Sequence, residues 1–517
     1  MFSLPFFSPE TWALILLALS LLMLYGNAPY GIFKKLGIPG PKPYPFLGTF
    51  LEYRKGMHNF DEECFKKYGR IWGTYDGRQP ILAIMDPAMI KTILVKECYS
   101  VFTNRRDFGL NGPLSDAVSV VVDDDWRRIR GALSPSFTSG RLKEMFKIMT
   151  QHSTNLITSL RKKMEKDETV DIKEFFGPYS MDVVTSTAFS VDIDSMNQPN
   201  DPFVTNIKKM LKFSFFNPLL VIITLFPFMS PLFDKLELSF FPKSVLDFFY
   251  NFLKKVKEDR SKNAHNVSDD SISYNRVDFM QLMVDSQIQE NGEVSAEGQS
   301  VKGLTDHEVL SQAMIFIFAG YETSSSTLSY VAYHLAIHPD TMRKLQKEID
   351  ETFPDKSPVT YEKLMQMEYL DMVINETMRL YPLGGRIERI CKKTVEINGV
   401  TIPKGMAVAV PLYPLHRDPE LWPEPETFNP ERFSKENHEN IDPYTFLPFG
   451  AGPRNCIGMR FAMLAMKLAL VETLQNFTLV PCEETEIPLE LDISGFMTPK
   501  NPIKLKLAPR IPAGSEE

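Results

Sequence analysis

The sequence predicts a mainly α protein with small β-sheets, built as one large domain behind an N-terminal transmembrane anchor. Long segments with apolar residues three and four apart, such as RLKEMFKIMTQHSTNLITSLRKKM, are typical of helices. Two shorter β-rich runs with glycine-containing turns predict hairpins. No linker cleanly divides the 517 residues. Because single cores usually stop growing near ~250–300 residues, one unit of this size favours a buried cofactor.

The anchor is predicted over residues 1–26. The run TWALILLALSLLMLY is uncharged and, with the flanking phenylalanines, approaches the ~20 residues that span a bilayer. A cleaved signal peptide is the alternative, but no basic residue precedes the run. Lys34 and Lys35 follow it, which favours an uncleaved anchor with the rest of the chain in the cytosol.

Residues 27–48 are predicted to form a proline-rich connector, and residues 49–510 the main domain. Residues 511–517 are predicted to be a disordered tail. The net charge of −8 argues against a nucleic-acid partner. Five scattered cysteines do not form a disulfide framework and indicate a reducing compartment.

The first hairpin is predicted in RIWGTYDGRQPILAIMDP and the second in TVEINGVTIPKGMAVAV, where Asn398-Gly399 forms the tight turn. The longest helix signal starts at a capping box, Thr305 and Glu308, and stops before Pro339.

The centre of this long helix carries Gly320, Glu322 and Thr323 in an apolar setting. A small residue, Ala319, followed by glycine and by a hydroxyl one turn on suits a helix that passes close to a flat ligand. The alternative is a Thr323 hydroxyl that bonds a carbonyl one turn back.

A second pattern is NETMRL, in which Glu376 and Arg379 share one helix face. The surroundings are apolar, so the pair is predicted to be buried and to need another partner, for which Arg432 of FNPERF is the candidate. Such a network is structural.

The stretch FGAGPRNCIG contains Cys456, and no other cysteine lies within twenty-five residues of it. A zinc site would need close Cys or His companions, and a catalytic thiol would need a paired base. A thiolate ligand to haem iron needs one cysteine only. Phe449 can pack over the sulfur, Arg454 can pair with a propionate, and the following helix favours a thiolate at its N-terminus.

This stretch resembles the haem-binding loop of cytochrome P450 enzymes. AGYET is similar to their oxygen-binding helix, ETMR to their Glu-x-x-Arg pair and NPERF to its partner loop. The likeness covers essentially the whole chain. The segments SVFTNRRDFG, FIFAGYETSSSTLSY and RIERICKKTVEINGVTIPKG resemble family 3, subfamily A, the microsomal vertebrate enzymes of broad specificity.

The resemblance implies haem b with Cys456 as the axial thiolate, and proton delivery by Thr323 and Glu322. It also implies that the propionates are held by a set of basic and aromatic residues: Arg105, Trp126, Arg130, Arg389 and Arg454. The implied substrate pocket comprises Phe108, Ser119, Phe318, Ala319 and the segment from Leu383 through Gly384 to Gly385. Gly384-Gly385 and Asp107 depart from the subfamily, so the pocket is where substrate range is expected to differ.

The implied reaction inserts one oxygen atom from O₂ into hydrophobic substrates such as steroids, drugs and other xenobiotics. The sequence has no flavin or nicotinamide fingerprint, so the electrons are expected from NADPH through the cytochrome P450 reductase, with cytochrome b5 as a second donor. We expect an endoplasmic reticulum location. The phenylalanine-dense region 213–249 is either a membrane-dipping roof and substrate entry or two buried amphipathic helices with an apolar turn.

A cationic docking face for the reductase is predicted from basic residues near the cysteine-side segments: Lys96, Arg128, Lys392, Lys393 and Arg460. The alternative is a solvated set of charges. Two rival functions are a thiolate-haem isomerase or peroxide-driven enzyme, which needs no reductase, and a non-catalytic haem carrier or sensor.

Overall fold

A computed structural model of the protein describes residues 8–210, 217–265, 278–287, 303–493 and 496–510. The predicted tail 511–517 and residues 213–216 of the phenylalanine-dense region lie outside these ranges. The helices, in chain order, are α1 Pro9–Asn27, α2 Ile32–Lys35, α3 Met57–Tyr68, α4 Pro87–Lys91, α5 Asp123–Leu133, α6 Ser139–Met164, α7 Lys173–Phe189, α8 Pro202–Met210, α9 Pro218–Leu225, α10 Ser230–Lys235, α11 Lys243–His265, α12 Phe279–Asp285, α13 Asp306–Ile337, α14 Pro339–Thr352, α15 Tyr361–Met365, α16 Glu368–Leu380, α17 Leu412–Leu415, α18 Lys435–His438 and α19 Met459–Asn476.

The strands are few and short, which confirms the mainly α prediction. They form a four-stranded sheet in the order β1-β2-β7-β4, a three-stranded sheet β3-β9-β8 and a two-stranded ribbon β5-β6. Their bounds are β1 Ile71–Asp76, β2 Gln79–Ile84, β3 Val170–Asp171, β4 Arg386–Ile390, β5 Val395–Ile397, β6 Val400–Ile402, β7 Ala407–Pro411, β8 Phe477–Pro481 and β9 Lys504–Pro509.

Both predicted hairpins are present. β1 pairs with β2 antiparallel, with Asp76 opposite Gln79, and β5 pairs with β6. Asn398 and Gly399 both have positive φ, 49° and 77°, as a tight hairpin turn requires. The second predicted run continues into β7, which leaves the hairpin and joins the larger sheet between β2 and β4.

The long helix α13 forms the centre of the helical core. Its predicted capping box is present: the Thr305 hydroxyl accepts from the Glu308 N–H, and the Glu308 carboxylate accepts from the Thr305 N–H. The helix packs against α7, α16 and α19 within one large apolar core. A Cβ atom added at Gly320 would lie 2.3 Å from Val184 Cγ2 of α7. The glycine therefore allows close helix–helix packing, in addition to any role beside a ligand.

The N-terminal helix α1 lies within the Pro9–Lys35 stretch, which is long and apolar enough to cross a membrane and is almost entirely exposed. Its end contacts the domain at Arg78, whose guanidinium lies 3.5 Å from the ring centre of Tyr25 and whose Nε donates to the Tyr25 carbonyl. The proline connector then runs along β1, where the Gly73 N–H donates to the Pro39 carbonyl. The connector is therefore packed against the domain.

The described part of the phenylalanine-dense region contains the short helices α9 and α10 and ends in the first turns of α11. The bend between Pro218–Leu225 and Pro227–Lys235 is 110°. Phe228 at the bend is 68 % exposed, and Leu232 and Leu236 are 49 % and 58 % exposed. Two buried amphipathic helices with an apolar turn, the alternative that the sequence left open, would expose Phe228 at the turn but would bury Leu232 and Leu236.

The packing at Gly320 predicts that the effect of Gly320→Ala on the free energy of unfolding changes sign when Val184 is replaced by alanine. Gly320→Ala gains ~1 kcal/mol of helix propensity but incurs ~1–3 kcal/mol of overpacking against Val184, so we expect net destabilisation. In a Val184→Ala background the clash is gone, and the same substitution should be stabilising. Urea unfolding of the four proteins, followed by circular dichroism, measures both effects; additive values would contradict the contact.

Candidate functional site

A cavity of about 640 Å³ lies between the centre of α13 and the loop that carries Cys456. Segments far apart in the sequence form its walls, as expected for a buried ligand site in a single domain. Most of the residues predicted for a site line it: Arg105, Ser119, Trp126, Arg130, Ala319, Thr323, Leu383, Gly384, Arg389, Phe449, Arg454 and Cys456.

The loop around Cys456 is held by its own backbone. The Cys456 N–H donates to the Phe449 carbonyl at 2.9 Å, and the Asn455 N–H donates to the Gly452 carbonyl at 3.0 Å. Gly452 has φ of 73°, and a Cβ atom there would lie 2.0 Å from the Leu94 carbonyl oxygen. Glycine is therefore required at this position for both conformation and space.

The Cys456 side chain is accessible from the cavity. Burial raises the pKa of the Cys456 thiol, while the backbone N–H groups of Gly458 and Met459 and the guanidinium of Arg130 oppose that rise. Gly458 caps α19, so the sulfur lies at the N-terminal end of that helix. These groups would stabilise a thiolate that is bound to a cation.

Three guanidinium groups, of Arg105, Arg389 and Arg454, meet at the cavity wall. Within the described residues none of them forms an ion pair, whereas the adjacent Arg106 and Arg386 pair with Asp76 at 2.8 Å and with Asp61 at 2.5 Å. Burial, reinforced by the neighbouring Arg105, lowers the pKa of Arg389 to about 10 and that of Arg454 to about 9.

Arg454 and the nearby Arg130 are fixed in place by oxygen atoms of the backbone and of Asn455 and by an aromatic ring. Arg454 donates to the Thr103 carbonyl at 2.7 Å and lies 4.8 Å over the ring of Trp126. Arg130 donates to both the carbonyl and the side-chain oxygen of Asn455 at 3.0 Å. The Nε atom of Arg389 is buried and has no hydrogen-bond partner in the described part of the chain.

Buried cations without counter-charges are costly, so this wall fits a ligand that brings its own anions. A haem carries two carboxylates at one edge and an iron at its centre. The arginine cluster and the single thiol in one cavity therefore fit that group.

On the opposite wall, Thr323 and Ala319 face the cavity from α13. The Thr323 hydroxyl donates to the Ala319 carbonyl at 2.6 Å, which is the back-bonded geometry that the sequence left as an alternative. Glu322 points the other way: its carboxylate is 2.5 Å from Lys173 Nζ and accepts from the Ser326 hydroxyl at 3.0 Å. Glu322 does not line the cavity.

Phe108 and Phe318, both predicted to line the pocket, are not in its wall. Phe108 packs edge-on against Phe240, with ring centres 5.9 Å apart, in a small cluster below α9 and α10. Phe318 lies between Phe241 and Phe496, and only Phe496 reaches the cavity. Phe318 is outside the wall although its neighbour Ala319 lines it, because successive side chains of a helix point about 100° apart.

The structure brings Glu376, Arg379 and Arg432 together. Glu376 and Arg379, both fully buried, form a bidentate pair with two contacts of 2.8 Å. Arg432 approaches Glu376 at 3.3 Å, and the Asn429 N–H donates to the same carboxylate at 2.9 Å.

His416 connects this network to the cysteine loop, and sequence reasoning missed it. Its carbonyl accepts from Arg379 at 2.8 Å, and its Nε2 accepts from the Leu447 N–H at 3.0 Å. Burial and the two nearby arginines, Arg379 and Arg417, lower the pKa of His416 to about 3, which keeps Nε2 an acceptor. No local motif marks this histidine, because its contacts come from distant segments.

Comparison with known proteins agrees with this geometry. The pattern of the family described as Cytochrome P450 matches residues 38–507. The chain therefore belongs to the cytochrome P450 family, whose members are haem-thiolate monooxygenases.

The relatives place the chain with subfamily 3A. Cytochrome P450 3A40 of Oryzias latipes is 63 % identical over 510 residues, which cover 99 % of each protein. Cytochrome P450 3A27 of Oncorhynchus mykiss is 63 % identical over 98 % of this chain and 96 % of that protein. Cytochrome P450 3A29 of Sus scrofa is 56 % identical over 98 % of each.

The buried network predicts that breaking a buried ion pair lowers the free energy of unfolding more than breaking an exposed one. Glu376→Gln leaves Arg379 without its counter-charge and should lower the free energy of unfolding by ~3–5 kcal/mol. Arg343→Ala removes an exposed pair with Asp340, whose side chain is 92 % exposed, and should cost ~0–1 kcal/mol. Urea titration of both variants measures the difference; similar losses would argue against a buried structural carboxylate.

Proposed function

We propose that this monooxygenase binds haem b through Cys456 and oxidises a broad range of hydrophobic compounds, steroids and xenobiotics among them. The observation that carries the proposal is one cavity-facing thiol in the same cavity as three arginines that form no ion pair within the described residues. Electrons would come from NADPH through the reductase, with cytochrome b5 as a second donor.

Haem held by a thiolate supplies the activation of O₂. Arg105, Arg130, Arg389 and Arg454 would hold its two carboxylates, and Trp126 would support Arg454 from beneath. Phe449, whose carbonyl already fixes the Cys456 N–H, would shield the sulfur from water.

Thr323 and Glu322 would handle protons from opposite sides of α13. Thr323 presents its hydroxyl to the cavity, where it can rotate from the Ala319 carbonyl towards a bound partner. Glu322 is buried but contacts Lys173, which is 33 % exposed in its side chain, so the carboxylate connects to solvent away from the cavity. The two residues together would pass protons inward while the cavity stays dry.

The substrate would occupy the space beside Ser119, Ala319, Leu383 and Gly384. A Cβ atom at Gly384 would meet nothing within 4 Å, so this position leaves room that any side chain would reduce. Phe108 and Phe318 would act from outside the present wall, as supports for the roof and for Phe496.

We place the enzyme at the endoplasmic reticulum membrane, anchored by residues 1–26 and followed by the connector 27–48 and the catalytic domain 49–510. The exposed helix α1 and the outward-facing Phe228, Leu232 and Leu236 support contact between the roof and the bilayer. Hydrophobic substrates could then enter from the lipid.

The reductase would dock on the cysteine side of the molecule. Of the residues predicted for this face, Arg128 pairs with Glu308, and Lys392 pairs with Asp123 at 2.7 Å. Lys96, Lys393 and Arg460 are exposed and form no ion pair within the described residues. Lys96 follows the segment that touches Gly452, and Arg460 is in the first turn of α19, so these cations lie near the cysteine loop.

The ligand assignment is tested by the absorption spectrum of the reduced carbon monoxide adduct. We expect the red-shifted Soret band of a thiolate ligand in the unsubstituted protein, and its loss in Cys456→Ser. Cys482→Ser, which changes a half-buried thiol outside the cavity, is the control and should keep the band. A red-shifted band that persists in Cys456→Ser would overturn the assignment.

The docking face is tested by charge reversal. Lys96→Glu combined with Arg460→Glu should raise the reductase concentration for half-maximal turnover by ~10-fold at low salt, and less as salt screens the attraction. A matched control is Lys147→Glu with Lys162→Glu on α6, which changes the net charge equally. Equal kinetics for both pairs, across the salt series, would refute the docking face.

A further inference from the structure

Residues 113–119 form an irregular segment that ends in the wall of the haem cavity. Val118 and Ser119, at its end, line the cavity. A single helical turn, Gly112–Leu114, begins the segment, and the residues after it have neither helix nor strand geometry. Part of their backbone hydrogen bonding therefore has to come from side chains of neighbouring elements.

Gln312 of α13 bonds this segment with both ends of its amide group. Its Oε1 atom accepts from the Val118 N–H at 2.7 Å, and its Nε2 atom donates to the Asp116 carbonyl at 2.6 Å. Nε2 also donates to the Glu308 carbonyl, one turn back on α13, at 3.0 Å. A flipped amide would place donor against donor and acceptor against acceptor, so these contacts determine its orientation.

The Gln312 contact is buried and has two neighbours on the same helix. Gln312 is 0 % exposed. Ser311 donates from its hydroxyl to the Pro113 carbonyl at 2.6 Å, and His307 Nδ1 lies 2.6 Å from the Asp116 carboxylate on the partly exposed side. Of these three side chains from the first two turns of α13, Gln312 is the one that bonds a cavity-lining residue.

The flanks of the segment are bonded to other parts of the protein. On the N-terminal side, the Phe240 N–H of the phenylalanine-dense region donates to the Leu110 carbonyl at 3.0 Å. On the C-terminal side, Arg454 of the cysteine loop donates to the Val121 carbonyl. Between these two flanks, the Gln312 amide joins the segment to α13.

This arrangement links two walls of the cavity. α13 presents Ala319 and Thr323 to the cavity, and the segment presents Val118 and Ser119. Gln312 itself does not line the cavity, but it bonds the backbone immediately before Ser119. It therefore sets the position of one wall relative to the other without contacting a bound molecule.

We propose that Gln312 is a positioning residue for the substrate. By fixing the Ser119 wall relative to the Thr323 wall, its amide decides which carbon atom of a bound substrate is oxidised. The contacts of the amide stand on their own, and the effect on oxidation rests on the proposed function of the cavity.

The contact is tested by hydrogen–deuterium exchange of full-length, haem-loaded protein. Gln312→Leu removes both hydrogen bonds at nearly constant side-chain volume. Exchange in a peptide that covers residues 113–121 should accelerate by ~10-fold, because the Val118 N–H loses its acceptor. The matched control is Gln346→Leu, which removes a buried glutamine that donates to the Phe477 carbonyl at 3.3 Å. The control should leave that peptide unchanged; unchanged exchange in Gln312→Leu would refute the contact.

The positioning role is tested by turnover of testosterone with NADPH and the reductase. Gln312→Leu should change the ratio of the hydroxylated products by at least ~3-fold, since a shift of about 1 Å alters which C–H bond is within reach. Gln346→Leu should keep the ratio of the unsubstituted protein, even where it lowers stability. An unaltered ratio in Gln312→Leu, or an equal change in both variants, would overturn the role.

Gln312→Glu adds a pH-dependent test. A protonated carboxyl group accepts from the Val118 N–H and donates to the Asp116 carbonyl, as the amide does, whereas a carboxylate has no proton to donate. Burial raises the pKa of a carboxyl group, so the protonated form is favoured as the pH falls. The product ratio of this variant should approach that of the unsubstituted protein near about pH 6 and depart from it near about pH 8.5.

The surroundings of Gln312 also carry charge, namely at Asp116, His307, Glu308 and Arg128. Each ratio is therefore compared with that of the unsubstituted protein at the same pH. A difference that does not change between the two pH values would contradict a role for the amide donor.

Failure of the proposed function is distinguishable from failure of this inference. A missing red-shifted carbon monoxide band in the unsubstituted protein, or no product from testosterone, would refute the function. A normal band with unaltered exchange and product ratio in Gln312→Leu refutes only the positioning role. The same band verifies that each variant folds with haem bound; should Gln312→Leu lack it, the product ratio of Gln312→Glu decides.

Discussion

The carboxylate of Glu376 is the contact on which the site's geometry depends. It accepts from Arg379, Arg432 and the backbone of Asn429 in a buried environment, so each partner is fixed in direction. From Arg379 the chain of contacts continues through His416 to Leu447, at the start of the loop that ends at Cys456. The buried Glu376 carboxylate therefore helps to position the Cys456 thiol through these intermediate contacts, although the two groups are not in contact.

The cavity wall differs from the surroundings of Glu376 in how its charges are paired. Around Glu376 every charge is matched, whereas Arg105, Arg389 and Arg454 face the cavity without carboxylates in the described chain. Their mutual repulsion lowers the stability of the protein until an anionic ligand is bound, so cofactor binding and folding are expected to be coupled. The unpaired arginines lower the stability of the ligand-free protein, and binding of the anionic ligand raises it again.

The sequence predictions that the structure or the comparisons confirmed rest on local signals. The capping box at Thr305, the Asn398-Gly399 turn and the family motifs around Cys456 each depend on neighbours in the chain. The directions of Glu322, Phe108 and Phe318, and the role of His416, depend on contacts across long separations, such as the 37 residues between Arg379 and His416. Periodicity defines a helix face but does not say which neighbouring element meets it.

Two close approaches restrict how the cavity can deform. Gly320 allows α13 to lie against Val184, and Gly452 allows the cysteine loop to lie against the Leu94 carbonyl, each without space for one more carbon atom. Movement of either wall outward therefore meets hard repulsion. The two walls that carry Thr323 and Cys456 are therefore held at a fixed separation, and a larger molecule can be accommodated only by changes elsewhere in the cavity lining.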